Sequence, residues 1–333
     1  MTITSLGDLA GAFIMRRQSA ESKAQIQTLS SELVTGVAQD KGAHLSGYLA
    51  SLAGIENSLA QLGGYRNAAR DLGQSAAAMQ IALEVIGSQG TDLSATLLAA
   101  ASSLSEGRLA SAGEDAATRL GTVVSALNTR FGDRSLFAGV ATNQPAMVGA
   151  SDLLDLLGGV VAGATSVLDA ETLVSDWFAN PDGFAALAYL GADAQGSVGI
   201  AAGETAQLGV TVMDPAVQDL LKALVMPALM SRGLLDGQPV ARAELAKRAG
   251  EHLLEGQTSF VELRARLGTT EAQLDAAVTR NGAESSALEL ARADLIGVDP
   301  FETATRLEAT QTQLETIYAL TARMQRLNLV DYL

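Results

Sequence analysis

Histidine and cysteine, which often carry acid–base and nucleophilic chemistry near neutral pH, are scarce in this sequence. The chain has two histidines, His44 and His252, and no cysteine. Neither histidine belongs to an HExxH motif, and neither has acidic neighbours at metal-ligand spacing. Asp40 and Ser46 flank His44, but sequence adjacency does not produce the geometry of a catalytic triad. We therefore predict that His44 lies in a solvated loop and that His252 lies on a helix surface or seam.

The other candidate chemical sites also favour structural interpretations. Asp152 and Asp155 stand three residues apart and could act as paired carboxylates. With no histidine or lysine nearby, a solvated helix face is the better prediction. The glycines of Gly196–Gly199 are not followed by the Gly-Lys-Ser/Thr of a phosphate loop. Trp177–Phe178 is interpreted as part of a small core. The sequence thus predicts no enzyme, no cofactor and no metal site.

Composition excludes several further classes of protein. The 333 residues carry a formal net charge of −15, and 48% are hydrophobic while only 4% are aromatic. Such an acidic chain lacks the bulk positive field that holds nucleic acid, and it is too apolar to be a disordered acidic tail. It has no run of about 20 apolar residues, so we expect no membrane insertion. At the N-terminus an acid precedes the apolar residues and arginines follow them, the reverse of a secretory signal. We expect either cytosolic residence or export without a signal.

Proline and charge divide the chain into flanks and a middle. All six prolines lie between Pro145 and Pro300, so long alanine- and leucine-rich helices are permitted at both ends. From Ser135 to Leu221 there is no lysine or arginine but there are ten acids, so this segment carries −10 of the net charge. Glycine-rich turns appear in the same segment. We predict an inserted domain of mixed α and β character there.

Within this insert, two helices and two strands are predicted. Ser151–Val161 and Ala170–Phe178 have the pattern of short helices. Gly199–Ile200 and Gly209–Met213 have the pattern of short strands, placed on either side of a turn at residues 202–204.

A seven-residue ladder follows Pro239 and indicates a long helix with a coiled-coil seam. A polar Asn281 in this seam would cost stability but could fix the register of the helix. The ladder consists of Phe260, Leu267, Leu274, Asn281, Leu288 and Leu295.

The two ends of the chain are predicted to be helices, each with a narrow apolar stripe. Asp299 is a plausible N-cap with Pro300 at the first helical position, and a helix of about 28 residues would follow. Neither stripe is broad enough to be buried in one compact domain, so these helices need each other, or neighbouring molecules, for stability. The stripe residues are Leu6, Leu9, Phe13, Ile26, Leu29 and Leu33 at the N-terminal end, and Leu307, Leu314, Ile317, Leu320, Met324 and Leu327 at the C-terminal end.

Several segments resemble the flagellin superfamily, and more narrowly its hook-associated branch. The tail Leu329–Leu333, which reads LVDYL, resembles the Leu-Asp-Tyr-Leu type of ending in that branch. The other similar segments are LSSELVTG at Leu29–Gly36, NTRFGDRSLFAG at Asn128–Gly139, RARLG at Arg264–Gly268 and DPFETATRL at Asp299–Leu307. The resemblance covers roughly residues 25–145 and 215–333 and does not extend to the insert.

The resemblance implies a mainly α fold, built as a long antiparallel helical hairpin or bundle with a small inserted α+β domain. Residues 1–40 and 298–333 would form the terminal, inner coiled-coil helices. Residues 41–142 and 215–297 would form the core of the helical bundle. The acidic insert, residues 143–214, would point outward.

The resemblance also implies a structural role in the bacterial flagellum. A homo-oligomeric ring of subunits would join hook to filament, in contact with neighbouring hook-associated proteins and flagellin. The protein would be secreted by signal-less type III export, and a cytosolic export chaperone would first cover its C-terminal helix. The residues expected to serve assembly and chaperone binding are the two stripes together with Leu329 and Leu333.

Other functions are left open by the residues themselves. A filament flagellin is the alternative within the same superfamily. A cytosolic coiled-coil interaction protein is the alternative from a different class, since the ladder at residues 260–295 could serve it. An enzyme residing in the acidic insert ranks last.

Overall fold

The protein is mainly α-helical, as predicted, in a computed structural model that describes residues 6–327 and the side chains of residues 10–323. It is 75% helical, with long helices and two small antiparallel sheets among the described residues. The chain divides into two compact units. One comprises the chain up to Gly63 and from Ala283 onward, and the other comprises Gly64–Gly282.

The first unit contains the terminal helices and the ends of two long helices. α1 ends where Gly36 adopts φ +70°, a conformation that glycine tolerates best. Just beyond it, the Ala38 amide donates to the Ile296 carbonyl at 3.0 Å, and the Val298 amide donates to the Gly36 carbonyl at 3.1 Å. The elements are α1 (Leu6–Thr35), α2 (Lys41–His44), the start of α3 (Leu49–Ser103), the end of α9 (Pro239–Ile296) and α10 (Pro300–Leu327).

The second unit holds the rest of α3 and α9 and the elements between them. These are α4 (Glu106–Leu127), β1 (Arg130–Phe131), β2 (Arg134–Ser135), α5 (Ala150–Val161), α6 (Val167–Ala179), α7 (Phe184–Leu187), β3 (Val198–Ala201), β4 (Glu204–Ala206) and α8 (Pro215–Ala228). A short 3₁₀ turn, Leu229–Arg232, follows α8. β1 pairs with β2 and β3 pairs with β4, each pair antiparallel.

The core of the second unit forms where α3, α4, α5, α6, α8 and α9 bury their apolar faces. On α4 the buried residues recur every three or four positions, as expected for one face of an amphipathic helix. They are Leu109, Ala112, Gly113, Ala116, Leu120, Val123, Val124 and Leu127. α8 begins with Pro215 at its first turn, and the Asp214 side chain accepts a hydrogen bond from the Ala216 amide at 3.1 Å.

Both predicted helices of the insert are confirmed as α5 and α6. The aromatic pair Trp177–Phe178 is buried, but not in a separate small core of the insert as predicted. Phe178 stacks on Phe184 with ring centroids 4.5 Å apart, and Trp177 meets both rings edge-on. These aromatic residues belong to the same buried apolar cluster as α4 and α8. The predicted division into inner helices, bundle core and insert stays a prediction.

The predicted strand at Gly209–Met213 is wrong. β3 instead pairs with β4, Glu204–Ala206, across a tight turn at Ala202–Gly203. Gly203 adopts φ +74°, so the chain reverses immediately and the nearest residues form the hairpin. The apolar residues at 208, 210 and 212 are buried in the main core without strand pairing.

Half of the acids in the cation-free segment 135–221 are paired with cations from outside it. These pairs are Asp155–Arg232 at 2.9 Å, Glu171–Arg248 at 3.1 Å, Glu204–Arg280 at 2.5 Å, Asp214–Arg266 at 3.1 Å and Asp219–Lys222 at 2.7 Å. Three of the five cations lie on α9. The charge asymmetry along the sequence is therefore partly neutralised in the folded second unit.

The ladder of α9 is buried over much of its length. Phe260, Leu267, Leu274 and Asn281 are at most 4% exposed, and the ladder residues beyond them are half-buried. The side chain of Asn281 donates to the backbone carbonyl of Ile200 in β3 at 2.7 Å. The predicted burial of Asn281 is confirmed, and its partner is a strand backbone.

Candidate functional site

The terminal helices α1 and α10 pair with each other and contain most of the predicted assembly residues. The Asp299 carboxylate caps α10 by accepting hydrogen bonds from the Phe301 and Glu302 amides at 2.8 and 3.1 Å. Pro300 is the first residue of the helix, which has 28 residues. Both the predicted cap and the predicted length are confirmed.

The two helices run antiparallel. Met15 meets Thr321, with the hydroxyl oxygen 3.6 Å from the methionine sulfur. About two turns further along α1, the Lys23 ammonium lies 5.6 Å from the centroid of the Tyr318 ring. At the other end of the pair, Val37 and Gly297 form an antiparallel bridge.

The facing sides of the two helices alternate four- and three-residue steps, which is the spacing of a coiled-coil seam. The residues that are buried or half-buried along it are Met15, Ser19, Ser22, Ile26 and Leu29 on α1, and Thr303, Leu307, Thr310, Leu314, Ile317 and Thr321 on α10. Five of the predicted stripe residues with described side chains are buried or half-buried at this seam: Ile26, Leu29, Leu307, Leu314 and Ile317.

Serines and threonines in the seam are the residues that sequence reasoning missed. Ser22, Thr303 and Thr310 are each about as buried as Leu29 and Ile317. The threonine hydroxyls donate to carbonyls of their own helix four residues earlier, Thr303 to Asp299 and Thr310 to Arg306, both at 2.8 Å. Because both bonds stay within α10, these two hydroxyls do not link α10 to α1. The threonines contribute only small side chains to the seam. Counting heptad positions regardless of polarity would have identified them.

Large apolar side chains lie on the outside of the pair. Phe13 is 68% exposed and Phe301 is 83% exposed. Other exposed apolar residues of these helices are Ile14, Leu33, Val34, Tyr318 and Leu320. The pair therefore buries several small polar residues while leaving bulky apolar groups uncovered, which is the reverse of what a self-sufficient helix pair requires.

A polar contact spans the pair at Tyr318. Hydrogen bonds with Lys23 and Ser19 lower the pKa of the Tyr318 phenol below its ordinary value, with the Lys23 bond as the larger cause. The ammonium charge of Lys23 acts in the same direction, because it favours the phenolate.

The predicted assembly residues thus have three placements. The seam contains Ile26, Leu29, Leu307, Leu314 and Ile317. Phe13, Leu33 and Leu320 are exposed. Leu6, Leu9, Met324 and Leu327 lie in the helices but outside the residues whose side chains are described, and Leu329 and Leu333 lie outside the described residues altogether.

The residues considered first for chemistry stand apart from one another. His44 is exposed at the end of α2, so the predicted loop is wrong there: Asp40 accepts a hydrogen bond from the Ala43 amide at 2.9 Å and caps this short helix. His252 lies exposed on α9 with Nδ1 3.4 Å from Glu255, as predicted for a helix surface. Asp152 and Asp155 lie exposed on α5.

The described part of the chain has neither a metal-binding cluster nor a membrane-spanning helix. Within residues 6–327, no group of three or more histidine, cysteine, aspartate or glutamate side chains is placed to hold a metal ion. Among the same residues, no helix has the length and apolarity needed to cross a membrane.

The C-terminal part of the chain is similar to a family of flagellar proteins. Residues 255–333 match the family model of the bacterial flagellin C-terminal helical region. A solved structure from Vibrio parahaemolyticus, provisionally designated a flagellar hook-associated protein, is similar with a TM-score of 0.49 and 12% sequence identity. The similarity covers 73% of this chain and 95% of that one. No curated protein sequence matches the chain.

Proposed function

We propose that this chain is a structural subunit of the bacterial flagellum that joins hook to filament. In this role it most resembles hook-associated protein 3. The subunits form a ring, in contact with neighbouring hook-associated proteins on one side and flagellin on the other. The role is mechanical and requires no catalysis or cofactor.

The observation that carries this proposal is the match of residues 255–333 to the flagellin C-terminal helical region. The matched range includes the end of α9 and all of α10. The Leu329–Leu333 tail lies in the same range, and its resemblance to the ending of the hook-associated branch favours the junction over the filament.

The terminal helices supply a physical reason for assembly. A subunit that completes its helix packing only with neighbours should expose apolar groups when alone, and α1 and α10 do so at Phe13, Phe301 and Leu320. Covering such side chains would yield about 1.5–3 kcal/mol for each one fully buried. We propose that the exposed members of the two stripes, Phe13, Leu33 and Leu320, make these contacts between subunits together with Leu329 and Leu333.

Export precedes assembly in this proposal. The chain leaves the cell through the flagellar type III apparatus without a cleaved signal, and it resides outside the cell at the junction. Before export, a cytosolic chaperone covers the apolar side chains of α10 that the mature assembly later buries.

A deletion strain tests the junction role directly. We expect hooks without filaments by electron microscopy, with flagellin released into the medium. Normal filaments in the deletion strain would contradict the junction role. If the purified chain alone forms long filaments, the filament-flagellin role is correct instead. Retention of the protein in the cytosol of export-competent cells would support a cytosolic coiled-coil protein.

A matched pair of variants tests the assembly surface. Leu320→Asp places a charge on an exposed position of α10, so the monomer should keep its helix content while the complemented strain loses motility. Leu168→Asp is the control, because Leu168 is 64% exposed and lies in the first turn of α6, where a negative charge is favourable. Full motility of the Leu320→Asp strain would contradict the proposed surface.

A further inference from the structure

The chain passes between the two compact units at two points, and both points lie inside continuous helices. In α3 the boundary falls between Gly63 and Gly64, and in α9 it falls between Gly282 and Ala283. No loop is present at either point. Glycine nevertheless occupies both, and we refer to Gly63, Gly64 and Gly282 as the boundary glycines.

Packing does not account for the boundary glycines. A Cβ atom built on each of them would meet no atom within 4 Å, and none has a positive φ. Some other helical glycines, by contrast, have clear packing reasons. A Cβ on Gly87 would lie 3.1 Å from the Phe260 ring, and one on Gly113 would lie 3.1 Å from Met230 Cβ.

Helix stability does not account for them either. Glycine weakens a helix interior relative to alanine, because it loses more backbone freedom on folding. Alanine would fit at all three positions and would strengthen both helices. Gly63–Gly64 is also the one adjacent glycine pair within α3 and α9, both of which are described along their whole length.

We propose that the boundary glycines form a hinge, at which α3 and α9 bend so that the two units change orientation while each keeps its own fold. Sharp bends in helices occur at glycine pairs and similar weak points, and hinges are formed by a few residues that absorb backbone changes. The proposal does not depend on the flagellar role, since it rests on the unit boundary and the empty space around the three glycines.

Spin-label distance measurements test the hinge, and the absence of native cysteine allows two labels to be placed freely. The first pair is Glu56→Cys with Ala77→Cys, two exposed positions of α3 on opposite sides of Gly63–Gly64. They would lie about 30 Å apart along a straight helix. The reference pair, Ala77→Cys with Thr96→Cys, lies within one unit of the same helix.

In the parent chain we expect the pair across the boundary to give a distance distribution about twice as wide as the reference pair. The reference pair spans Gly87 and Gly90, which pack against Phe260 and Leu220, whereas Gly63 and Gly64 pack against nothing and leave the helix free to bend. Replacing all three boundary glycines by alanine should narrow it to the width of the reference pair. Equal widths for the two pairs in the parent chain would overturn the proposal.

A matched glycine set separates a hinge from general helix stiffening. Gly54, Gly73 and Gly256 also have no atom within 4 Å of an added Cβ, and they likewise comprise two positions in α3 and one in α9, all away from the boundary. Their triple alanine variant should raise helicity by circular dichroism as much as the boundary variant does, without narrowing the distribution. Equal narrowing by both variants would also overturn the proposal.

Discussion

The side-chain amide of Asn281 on α9 donates a hydrogen bond of 2.7 Å to the backbone carbonyl of Ile200, and both residues are at most 2% exposed. The bond ties the β3–β4 hairpin to the long helix. Next to it, Arg280 pairs with Glu204 of the same hairpin on the exposed surface. The two neighbouring contacts differ mainly in burial, so they should contribute differently to the free energy of unfolding.

Asn281→Ala should lower the stability of the second unit by about 1–3 kcal/mol, because it leaves the buried Ile200 carbonyl without a partner. The urea midpoint, followed by circular dichroism, measures the loss. Arg280→Ala is the control, and an exposed ion pair should cost less than about 1 kcal/mol. Equal midpoints for the two variants would show that the buried bond adds nothing beyond the surface pair.

Arg242 should stabilise the turn after α8 as strongly as Asn281 stabilises the attachment of the hairpin. It is 5% exposed, and its guanidinium donates to the carbonyls of Leu234 and Met230 at 3.1 and 3.2 Å. Arg242→Met removes both bonds and leaves the Leu234 carbonyl without this donor, so it should cost about 1–3 kcal/mol in the same urea experiment. Asp236, its exposed carboxylate partner at 3.1 Å, provides the comparison: Asp236→Asn should cost under about 1 kcal/mol. A harmless Arg242→Met would contradict this ranking.

Thr310, one of the two buried threonines of the terminal seam, should limit how strongly α1 and α10 pair. Thr310→Val keeps the shape of the side chain but replaces a hydroxyl by a methyl, so it should stabilise the pair by about 1 kcal/mol. Slower amide hydrogen exchange in α10 of the monomer would show this. Thr312→Val is the matched control, since Thr312 makes the same kind of intrahelical bond while exposed. Equal exchange in both variants would contradict the prediction.

Alkaline pH should weaken the second unit through Tyr189. Burial raises the pKa of this phenol above its ordinary value of 10.0, and its hydroxyl donates to the Ala192 carbonyl at 2.7 Å. The folded chain therefore holds the proton more tightly than the unfolded chain does. The stability that this contributes is complete below pH 10.0 and is lost as the pH rises through the raised folded pKa.

Tyr189→Phe removes the titrating group, so the variant should lose less stability than the parent chain as the pH rises above 10.0, measured by urea midpoints. At neutral pH it should be less stable by about 1 kcal/mol, because the hydrogen bond is gone. Tyr48→Phe serves as the control, since Tyr48 is largely exposed. An unchanged alkaline slope in Tyr189→Phe would refute the assignment.

The contact between Lys23 and Tyr318 should be visible by titration. Because its hydrogen bond with Lys23 is the main cause of the lowered pKa of Tyr318, Lys23→Met should move ionisation of this phenol to higher pH. Ultraviolet absorbance of tyrosinate, taken as the difference from a Tyr318→Phe variant, isolates the group. Arg17→Met is the control, because Arg17 pairs with Glu21 on the exposed side of α1. No change with Lys23→Met would mean that α1 and α10 do not pair in this register.

Elements governed by local spacing were predictable from the sequence. The Asp299–Pro300 start of α10, the helices α5 and α6 and the buried ladder of α9 follow from capping chemistry and from the helical repeat, which depend on residues a few positions apart. The strand predicted at Gly209–Met213 was wrong. Its alternating apolar residues are buried in the core without strand pairing. The tight turn at Gly203 instead brings the nearer residues of β4 into pairing with β3.

The candidate site was predictable in outline but not in detail. Apolar periodicity located Leu29, Leu314 and Ile317, whereas Ser22 and Thr310 were overlooked because their polarity suggested a solvent-facing position. Their burial depends on the close approach of the second helix, which favours small side chains, and on bonds within α10 that satisfy the threonine hydroxyl.

Capping and helical spacing in the sequence located the start of α10 and the helices α5 and α6, and the sequence also puts −10 of the net charge between Ser135 and Leu221. The bond from Asn281 to Ile200, and the pairing of half of those acids with cations from outside the segment, depend on how the chain packs. These two kinds of feature differ in the range over which their causes act. Helix propensity, capping and periodicity act within one or two turns, while the partner of a buried polar group is chosen by contacts between residues that are far apart in the chain.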